Sequence, residues 1–331
     1  MTRFIARRIG AGVIQVTLVS SVAWVLFFLI ARLTGASPAS RVAGKNATPA
    51  VIKQVAHQLG TDRPYIVQYF HYMGNLLQGN FGYSYYEHKS VISILVPALG
   101  TTASLVLVAV VIWLLLSIPL GLLSAIKAGT ALDYGIRMVV VLGISVPVFL
   151  IAPLLDYLFA YQPASGKFLF VPLHTHVSLF PIDGYVNFHS NPLEWLRHLI
   201  LPALAIAVFT SALYVRYIRA LALENLGQDY VRTALAKGVG RRRLIASHVS
   251  KNIAPIVVTL IGLDVGAALG GVLFVENVFA LPGLGFVTFQ AINNLDYAVA
   301  SGAITFAAIV AVTMNTLVDI AQGALDPRTR T

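Results

Sequence analysis

The fold of this chain is organised around a polar island between two long apolar runs, Asp229-Tyr-Val-Arg-Thr-Ala-Leu-Ala-Lys-Gly238-Val-Gly-Arg-Arg-Arg-Leu-Ile-Ala-Ser-His-Val-Ser-Lys-Asn-Ile-Ala-Pro255. Together with Arg216 and Arg219 just upstream, the island holds eight of the 23 lysine and arginine residues. The flanking runs are long enough to cross a membrane, and basic residues gather in short cytoplasmic loops. The island therefore predicts a cytoplasmic loop between two membrane spans.

Within the island, residues 230–237 predict a short helix. Gly238 is expected to end it in the left-handed conformation, and Gly240 allows a second turn before another helix begins near Arg242. Part of the helix surface is kept small by short side chains, Thr233, Ala234 and Ala236. A short helix of this kind is suited to insertion into a groove on a partner protein. An ordinary positively charged loop is the alternative that the island alone leaves open.

The composition is that of an integral membrane protein. Of the 331 residues, 57% are hydrophobic and 11% are charged, and the mean hydropathy is +0.79. The absence of cysteine excludes a disulfide framework and a thiolate metal site. The chain also contains no Gly-x-x-x-x-Gly-Lys-Ser/Thr loop to cradle phosphates. Any ATP that its function requires must therefore be hydrolysed by another polypeptide.

Six apolar segments predict an all-α polytopic membrane protein with six transmembrane helices. The first follows Arg3, Arg7 and Arg8 and is too long for the apolar part of a cleaved signal peptide, so it is expected to remain as a span. Pro147 and Pro153 are expected to break the third span. The predicted spans cover about residues 9–33, 98–126, 134–159, 195–222, 253–275 and 297–321.

The basic residues indicate that both termini are cytoplasmic. With six spans, 15 of the 23 lie in inside segments, and the other eight are spread over two longer outside loops. The net charge of +10 is thus a signal of topology and gives no support to nucleic-acid binding. The expected organisation is an N-terminal transmembrane helix (1–33), an external helical subdomain (34–97), a transmembrane core of five helices (98–323) with a cytoplasmic docking loop (224–252), and a cytoplasmic tail (324–331).

Two amphipathic helices are expected in the external subdomain. Thr48-Pro49 is typical of a helix start and Gly60 of a helix end, and Pro64 and Gly79 bound the second helix in the same way. The apolar face of the first helix comprises Ile52, Val55, Ala56 and Leu59, and that of the second comprises Ile66, Tyr69, Phe70, Met73 and Leu77. This segment is expected to cap the bundle on its outer side.

The island resembles the loop of ABC-importer permeases that docks on the ATPase subunit. Its form, Asp-Tyr-Val-Arg-Thr-Ala-x-Ala-Lys-Gly, is similar to that of the dipeptide/oligopeptide branch, and Arg232 stands where many other importers place a glutamate. The resemblance implies that the docking residues are Asp229, Tyr230, Arg232, Thr233, Ala234, Ala236, Lys237 and Gly238.

Further motifs extend the resemblance over nearly the whole chain. Residues 276–285, Glu-Asn-Val-Phe-Ala-Leu-Pro-Gly-Leu-Gly, are similar to the Glu-x-x-Phe-x-x-Pro-Gly-Leu-Gly sequence of peptide permeases. The segments 59–65, 79–84, 295–297 and 325–328 follow the order of the same family. The resemblance implies the type I ABC importer permease fold and a place in a prokaryotic inner membrane.

The resemblance also implies the partners and the cargo. The partners would be a second homologous permease, two cytoplasmic ABC ATPase domains that bind ATP and magnesium, an extracytoplasmic substrate-binding protein, and the membrane lipid. No cofactor is expected in this chain. Relatives within this branch carry dipeptides, longer peptides, glutathione, nickel complexes or haem, so the exact substrate stays open.

Intramembrane carboxylates are candidates for the substrate pathway, since such groups usually face a cavity or a protein partner. Asp264 lies mid-span on a glycine-rich helix; it either holds a cationic group in a cavity or bonds to a neighbouring span. Gly262, Gly266 and Gly270 recur every four residues and form a stripe on which another helix can pack. Asp319 is expected to pair with a basic residue at the inner interface, and Asp156 to reach water near the outer end.

An outer gate or a receptor contact is expected in the loop after the fifth span, at Glu276, Phe279, Pro282 and Gly283. His174 and His176 place two imidazoles on one side of an extended segment. A metal site needs three or four donors, so these residues are interpreted as solvated loop histidines and no metal site is predicted.

Two other functions remain possible at this point. An ion-coupled secondary transporter would use Asp264 and Asp319 as cation sites, but it predicts internal repeats that the sequence lacks. A non-transporting membrane scaffold would need only the glycine stripe. Neither accounts for the docking loop.

Overall fold

The chain forms a bundle of α-helices with two short β-hairpins. The computed structural model describes residues 2–29, 38–44, 47–84, 86–160, 167–168, 171–172, 180–181, 183–269 and 272–325. The helices are α1 (Thr2–Trp24), α2 (Pro38–Ala43), α3 (Pro49–Leu59), α4 (Tyr65–Leu77), α5 (Val91–Ile126), α6 (Ala131–Ser145), α7 (Val148–Leu155), α8 (Pro192–Leu226), α9 (Asp229–Ala236), α10 (Arg241–Leu244), α11 (Ser250–Leu269), α12 (Leu273–Val278), α13 (Leu284–Asn293) and α14 (Tyr297–Leu325). The antiparallel hairpins pair β1 (Tyr83–Ser84) with β2 (Lys89–Ser90) and β3 (Lys167–Phe168) with β4 (Val171–Pro172). Helices α1, α7 and α10 continue into π-helical turns at Val25–Leu29, Asp156–Ala160 and Ile245–Val249.

Within the described residues, five helices are long and apolar enough to cross a membrane: α1, α5, α8, α11 and α14. The bent pair α6 and α7 makes a sixth span if the two are counted together, and on that condition the prediction of six spans is confirmed. α1 begins at Thr2, so Arg7 and Arg8 lie within the first helix and not before it. Residues 30–33 of the predicted first span lie outside the described residues.

The third predicted span is two helices at an angle of 98°. The corner lies at Val146 and Pro147, because proline has no N–H and disfavours the helical region for the residue before it. Val146 accordingly has φ −98° and ψ 118°. Pro153 lies inside α7, so the second break that was predicted there is not found.

Two other spans have different limits from those predicted. The fifth, predicted over residues 253–275, is divided: α11 ends at Leu269, and α12 begins at Leu273 after two residues outside the described part of the chain. The 20 residues of α11 are enough to cross ~30 Å of hydrocarbon. α5 begins at Val91 and contains Pro97, so it includes residues that were assigned to the external subdomain.

The first external helix follows the prediction. α3 begins at Pro49 and ends before Gly60, which has φ 67°, although the Thr48 side chain makes no capping hydrogen bond. Its predicted apolar face is half-buried at Ile52, Val55 and Ala56, between exposed neighbours.

The apolar face predicted for α4 is only partly buried. Tyr69 and Met73 are half-buried, and the Tyr69 hydroxyl lies 2.7 Å from the Ser21 hydroxyl of α1. Three other members of the face are exposed, Ile66 (71%), Phe70 (67%) and Leu77 (89%). The helix therefore turns Tyr69, Met73 and Leu76 toward the bundle and Ile66, Phe70 and Leu77 outward.

The core forms mainly where α5 packs along α8. Trp113 and Leu105 of α5 and Leu199 of α8 are fully buried. Gly121 permits the close approach of the two helices, since an added Cβ would lie 2.8 Å from the Ile218 side chain.

The glycine stripe on α11 packs against α14, as the small-residue pattern predicts. An added Cβ at Gly262 would overlap Val318, and one at Gly266 would overlap the side chain of Asn315. Gly270, the third member of the stripe, lies outside the described residues.

Candidate functional site

The polar island forms α9 directly after the long span α8. Gly238 has φ 78° and ends α9 with two backbone hydrogen bonds, from its own N–H to the Leu235 carbonyl (2.9 Å) and from Val239 N–H to the Ala234 carbonyl (3.1 Å). This pair of bonds is the Schellman arrangement, which glycine favours because it has no Cβ. The short helix and its glycine end are thus confirmed as structural features.

One side of α9 is anchored and the other is open. Val231 is 3% exposed, and the Tyr230 hydroxyl donates to Asn225 Oδ1 at the end of α8 (3.2 Å). Ala234 is half-buried. The other residues of the predicted docking surface are exposed, Asp229, Arg232, Thr233, Ala236, Lys237 and Gly238. α9 therefore offers a surface of short and charged side chains that the described part of the chain leaves exposed.

A buried ion pair fixes the inner part of α8, from which α9 continues. Arg219 of α8 donates from Nε to Asp133 Oδ1 (2.9 Å) and from Nη2 to Asp133 Oδ2 (3.0 Å). Asp133 is fully buried and also accepts from Ser124 Oγ of α5 (2.6 Å) and from Gly129 N–H in the turn before α6 (3.0 Å). The carboxylate is thus fully hydrogen-bonded, and it ties α5, α6 and α8 together.

The sequence pattern did not predict this pair, because Asp133 and Arg219 are 86 positions apart. Arg137 of α6 also lies near this carboxylate, at 3.5 Å, and stacks over the Tyr134 ring. A carboxylate in the first turn of an apolar helix is the one available signal, since such a charge requires a partner.

Asp264 bonds to a neighbouring span. The Tyr214 hydroxyl of α8 donates to Asp264 Oδ2 (2.6 Å), and the Tyr214 ring, itself fully buried, packs against Trp113. Asp264 is half-buried, and Gly266 one half-turn further is closed off by Asn315. The neighbour-bonding alternative therefore describes Asp264 in this structure.

The two other intramembrane carboxylates, Asp319 and Asp156, lie in different surroundings. Asp319 pairs with Arg8 of α1 at 2.8 Å, as its expected role requires. Asp156 is half-buried, and its Oδ1 atom is enclosed with no hydrogen-bond partner among the described residues, so its access to water stays a prediction.

Glu276 belongs to α12 and is fully buried, and its carboxylate lies against the N-terminus of α13. Oε2 accepts from the N–H groups of Gly285 (2.7 Å) and Phe286 (3.0 Å), and Oε1 accepts from the Thr102 hydroxyl of α5 (2.6 Å). Helix N-termini attract carboxylates because their first N–H groups lack helical partners. Burial raises the pKa of the Glu276 carboxyl, and its hydrogen bonds from Thr102 and from the N–H groups of Phe286 and Gly285 oppose that rise.

The Pro-Gly-Leu-Gly sequence is explained by this carboxylate. A Cβ at Gly283 would overlap the Glu276 carboxyl group, and a Cβ at Gly285 would overlap the Leu273 backbone. Phe279 is 2% exposed, so among the predicted gate or receptor residues Pro282 alone is exposed. The burial of Glu276 fits a structural support of this loop better than a direct contact with a receptor.

Within the described residues, no group of three or more His, Asp or Glu side chains is placed to hold a metal ion. His174 and His176 lie outside those residues.

Two family models match the chain. The description "Binding-protein-dependent transport system inner membrane component" matches residues 117–331, and the corresponding N-terminal model matches residues 1–106. The dipeptide transport system permease protein of Alkalihalophilus pseudofirmus is 33% identical over 92% of this chain and 93% of its own length. A protein of Sinorhizobium fredii described as a probable peptide ABC transporter permease is 32% identical over 99% of both chains.

These matches cover the docking segment, the glycine-rich span and the Glu276 loop together. The family description implies a substrate-binding protein and an ATPase as partners, and it describes a transport component. The chain is a multi-pass membrane protein that belongs to the family of binding-protein-dependent transport system inner membrane components.

Proposed function

We infer that this chain is a transmembrane permease subunit of an ATP-driven ABC importer for peptides. The peptide cargo rests on relatives that are named as peptide or dipeptide permeases and match 92–99% of the chain. The observation that carries the inference is α9, an exposed, glycine-ended helix that follows a long span. An ion-coupled transporter or a scaffold accounts for neither α9 nor the family match.

The docking surface of α9 would insert into a groove on a cytoplasmic ATPase subunit. Short side chains at Thr233 and Ala236 allow close approach, and the open space around Gly238 leaves the tip of the helix accessible. When ATP closes the two ATPase domains, α9 would move with them and favour an outward-facing pathway. The contact between α9 and the ATPase must differ between the two states, or ATP cannot shift the equilibrium.

The Asp133–Arg219 pair supports a route for that movement into the membrane. α8 carries Arg219 about two turns before its end at Leu226, and α9 starts three residues later. Because Asp133 binds α8 to α6 and to the end of α5, a shift of α8 would be shared by all three helices. A bidentate pair of this kind fixes the relative geometry of its two partners, because it combines two charge-assisted hydrogen bonds.

We assign the remaining partners from the resemblance. A second, homologous permease would form the other half of the pathway, two ATPase domains would dock from the cytoplasm, and an extracytoplasmic protein would deliver the substrate. Both termini would be cytoplasmic in a prokaryotic inner membrane, as the basic residues indicate.

The substrate pathway is proposed to pass the α11 helix. Gly266 and Gly270 are four positions apart, a spacing that puts two residues on one face of a helix, and Asp264 lies half a turn before Gly266. In the present conformation Asp264 is held by Tyr214, and release of that hydrogen bond would free a carboxylate for the amino group of a peptide. The loop with Phe279, Pro282 and Gly283, supported by Glu276, is proposed as the outer gate.

The function is tested by transport in proteoliposomes that contain this chain with its partner permease, ATPase subunits and binding protein. We expect uptake from a labelled peptide library that requires ATP. Glutathione, nickel complexes and haem serve as competing cargo. Uptake that persists without ATP would contradict the ABC mechanism, and ATP-driven uptake of competing cargo without any peptide would contradict the substrate class.

A further inference from the structure

Helix α4 differs in character from α3, although both belong to the predicted external subdomain. α4 contains no Asp, Glu, Lys or Arg among its 13 residues. Five of its side chains are exposed, and all but His71 are apolar, namely Ile66, Val67, Phe70 and Leu77. α3 instead exposes polar side chains, among them Lys53, Gln54 and His57. The two helices are therefore suited to different surroundings.

The ion pair between Arg8 of α1 and Asp319 of α14 gives a reference for depth. Ionised groups are costly inside the hydrocarbon core, so this pair marks the membrane boundary nearest the chain termini. Ser21 and Thr305 lie 13 and 14 positions from the pair along α1 and α14, which is ~20 Å at a rise of ~1.5 Å per residue. The core is ~30 Å thick, so both hydroxyls lie ~10 Å inside the far boundary.

α4 contacts both helices at this depth. The Tyr69 hydroxyl lies 2.7 Å from the Ser21 hydroxyl, and the Tyr72 hydroxyl lies 3.2 Å from the Thr305 hydroxyl. On the same side of α4, the Trp24 ring of α1 packs edge-on against the Tyr69 ring, with 5.5 Å between the ring centroids. These contacts place the middle of α4 below the surface of the bilayer.

The C-terminal end of α4 lies deeper still. Met73, Leu76 and Leu77 line an apolar cavity of about 430 Å³ between α1 and α14. Val16 and Ile309 line it as well, and they lie ~12 and ~15 Å from the Arg8–Asp319 boundary by the same helical rise. α4 thus runs from the far boundary toward the middle of the bilayer.

We propose that α4 is immersed in the leaflet farthest from the chain termini and turns Ile66, Phe70 and Leu77 to the acyl chains of the lipid. An α-helix satisfies its own backbone groups, so this segment needs no water at that depth. Exposed side chains that would be unfavourable in water are favourable against hydrocarbon. The absence of ionisable acidic or strongly basic side chains from α4 follows from the same requirement.

The composition of this face favours lipid over a second protein subunit. Helix–helix interfaces in membranes are rich in small residues and in hydrogen bonds between helices. The outward face of α4 carries Ile66, Val67, Phe70 and Leu77, which are all large, and its hydroxyl groups point the other way. α1 likewise exposes large aliphatic side chains, at Val13, Leu18 and Val22.

Because the chain has no cysteine, single cysteines can report the surroundings of each site. We would introduce Ile66→Cys, Phe70→Cys and Leu77→Cys, with Lys53→Cys on α3 as the matched control, and attach a nitroxide in the complete transporter in a phospholipid bilayer. Collision with oxygen, which concentrates in hydrocarbon, is compared with collision with a water-soluble nickel chelate. These side chains are exposed, so the substitutions remove no packed core, and three sites guard against one variant that fails to assemble.

At the three α4 sites we expect the oxygen collision rate to exceed the nickel rate several-fold, and at Lys53→Cys we expect the reverse. Labels on α4 that collide with nickel as readily as the control would show that the helix is in water. Immobilised labels that neither reagent reaches would show that a second subunit covers it. Either result overturns the proposal, and neither depends on whether the cargo is a peptide.

Discussion

At the scale of single residues, Glu276 and Gly283 are complementary. The carboxylate occupies the space that any side chain at position 283 would need, and its hydrogen bonds organise the start of α13. A buried carboxylate that loses its donors has no water to replace them, which makes the position sensitive to one added methyl group.

Gly283→Ala is expected to lower the free energy of unfolding by about 2–3 kcal/mol, because the added Cβ displaces the Glu276 carboxylate from its donors. Thermal unfolding of the purified protein measures this as a lower melting temperature. Gly135→Ala is the control: no atom lies within 4 Å of its added Cβ, and alanine favours the helix by up to about 1 kcal/mol. Equal stability of the two variants would contradict the role given to Gly283.

Asp264→Asn tests whether the charge in the glycine-rich span acts on the cargo. Asparagine can still accept the hydrogen bond from Tyr214, so we expect normal assembly and reduced uptake of cationic peptides relative to neutral ones. Tyr214→Phe, which keeps the charge and removes the hydrogen bond, should leave the preference unchanged. Identical uptake of a charged and neutral peptide panel by Asp264→Asn would remove Asp264 from the pathway.

These residues also show what the amino-acid pattern can and cannot predict. Gly238 was predictable because a helix end is a local event, and Asp319 because a charge near a helix end requires a nearby partner. The burial of Glu276 was not, since its donors come from Thr102 on α5 and from a helix that starts eight residues later. From the sequence alone, Glu276 could be placed only in the loop just after the fifth span.

At the scale of elements, α5, α6 and α8 meet at one buried carboxylate. Asp133 receives hydrogen bonds from Arg219, Ser124 and Gly129, and no part of it is exposed. If one partner of a buried ion pair is removed, the other charge stays in the protein interior without a counter-charge. Such a loss strongly destabilises the fold.

Asp133→Asn is expected to destabilise the bundle by about 2–3 kcal/mol, below the 3–5 kcal/mol typical of a fully buried pair because Arg219 stays 23% exposed. Glu194→Gln is the control: its pair with Arg197 has a similar distance, 2.8 Å, but is largely solvated and should contribute less than about 1 kcal/mol. Melting temperatures of the two variants, measured side by side, test this difference in stability. A smaller loss for Asp133→Asn than for Glu194→Gln would show that the buried pair is dispensable.

Among the elements, the spans and short helices were largely predictable, whereas their contacts were not. Hydropathy placed both ends of α8 and α14 within four residues, and Pro147 marked the corner in the third span. α1 and α5 each begin seven residues before the predicted start. The face of α4 was misjudged, because periodicity identifies an apolar face without saying what covers it. In a membrane protein such a face can be turned toward lipid, where apolar side chains are favourable.

At the scale of the whole molecule, most spans are incompletely covered by this chain. In α8, 61% of the apolar span is buried, against 22–39% in α1, α5, α11 and α14. The uncovered surface must meet lipid or another subunit, which agrees with a protein that supplies one half of a pathway.

Gly238→Trp and Ala234→Glu are expected to abolish ATP-driven uptake while the protein still inserts into the membrane. The first substitution places a large ring at the open tip of α9. The second places a charge among the short side chains of its docking surface. Gly240→Ala, two residues from the tip and likewise in open space, is the control and should retain uptake. Wild-type uptake by both tip variants, measured at equal amounts in the membrane, would reject the docking role of α9.

The corner at Pro147 has a consequence for solvation. α6 is 15 residues long, so its last turn lies ~22 Å along the helix from its start, well within the bilayer. No helical N–H group follows that turn to donate a hydrogen bond to its carbonyl groups, and hydrocarbon supplies no donors. The corner must therefore adjoin protein or water, so a bend of 98° in a single polypeptide marks a place that lipid alone cannot line.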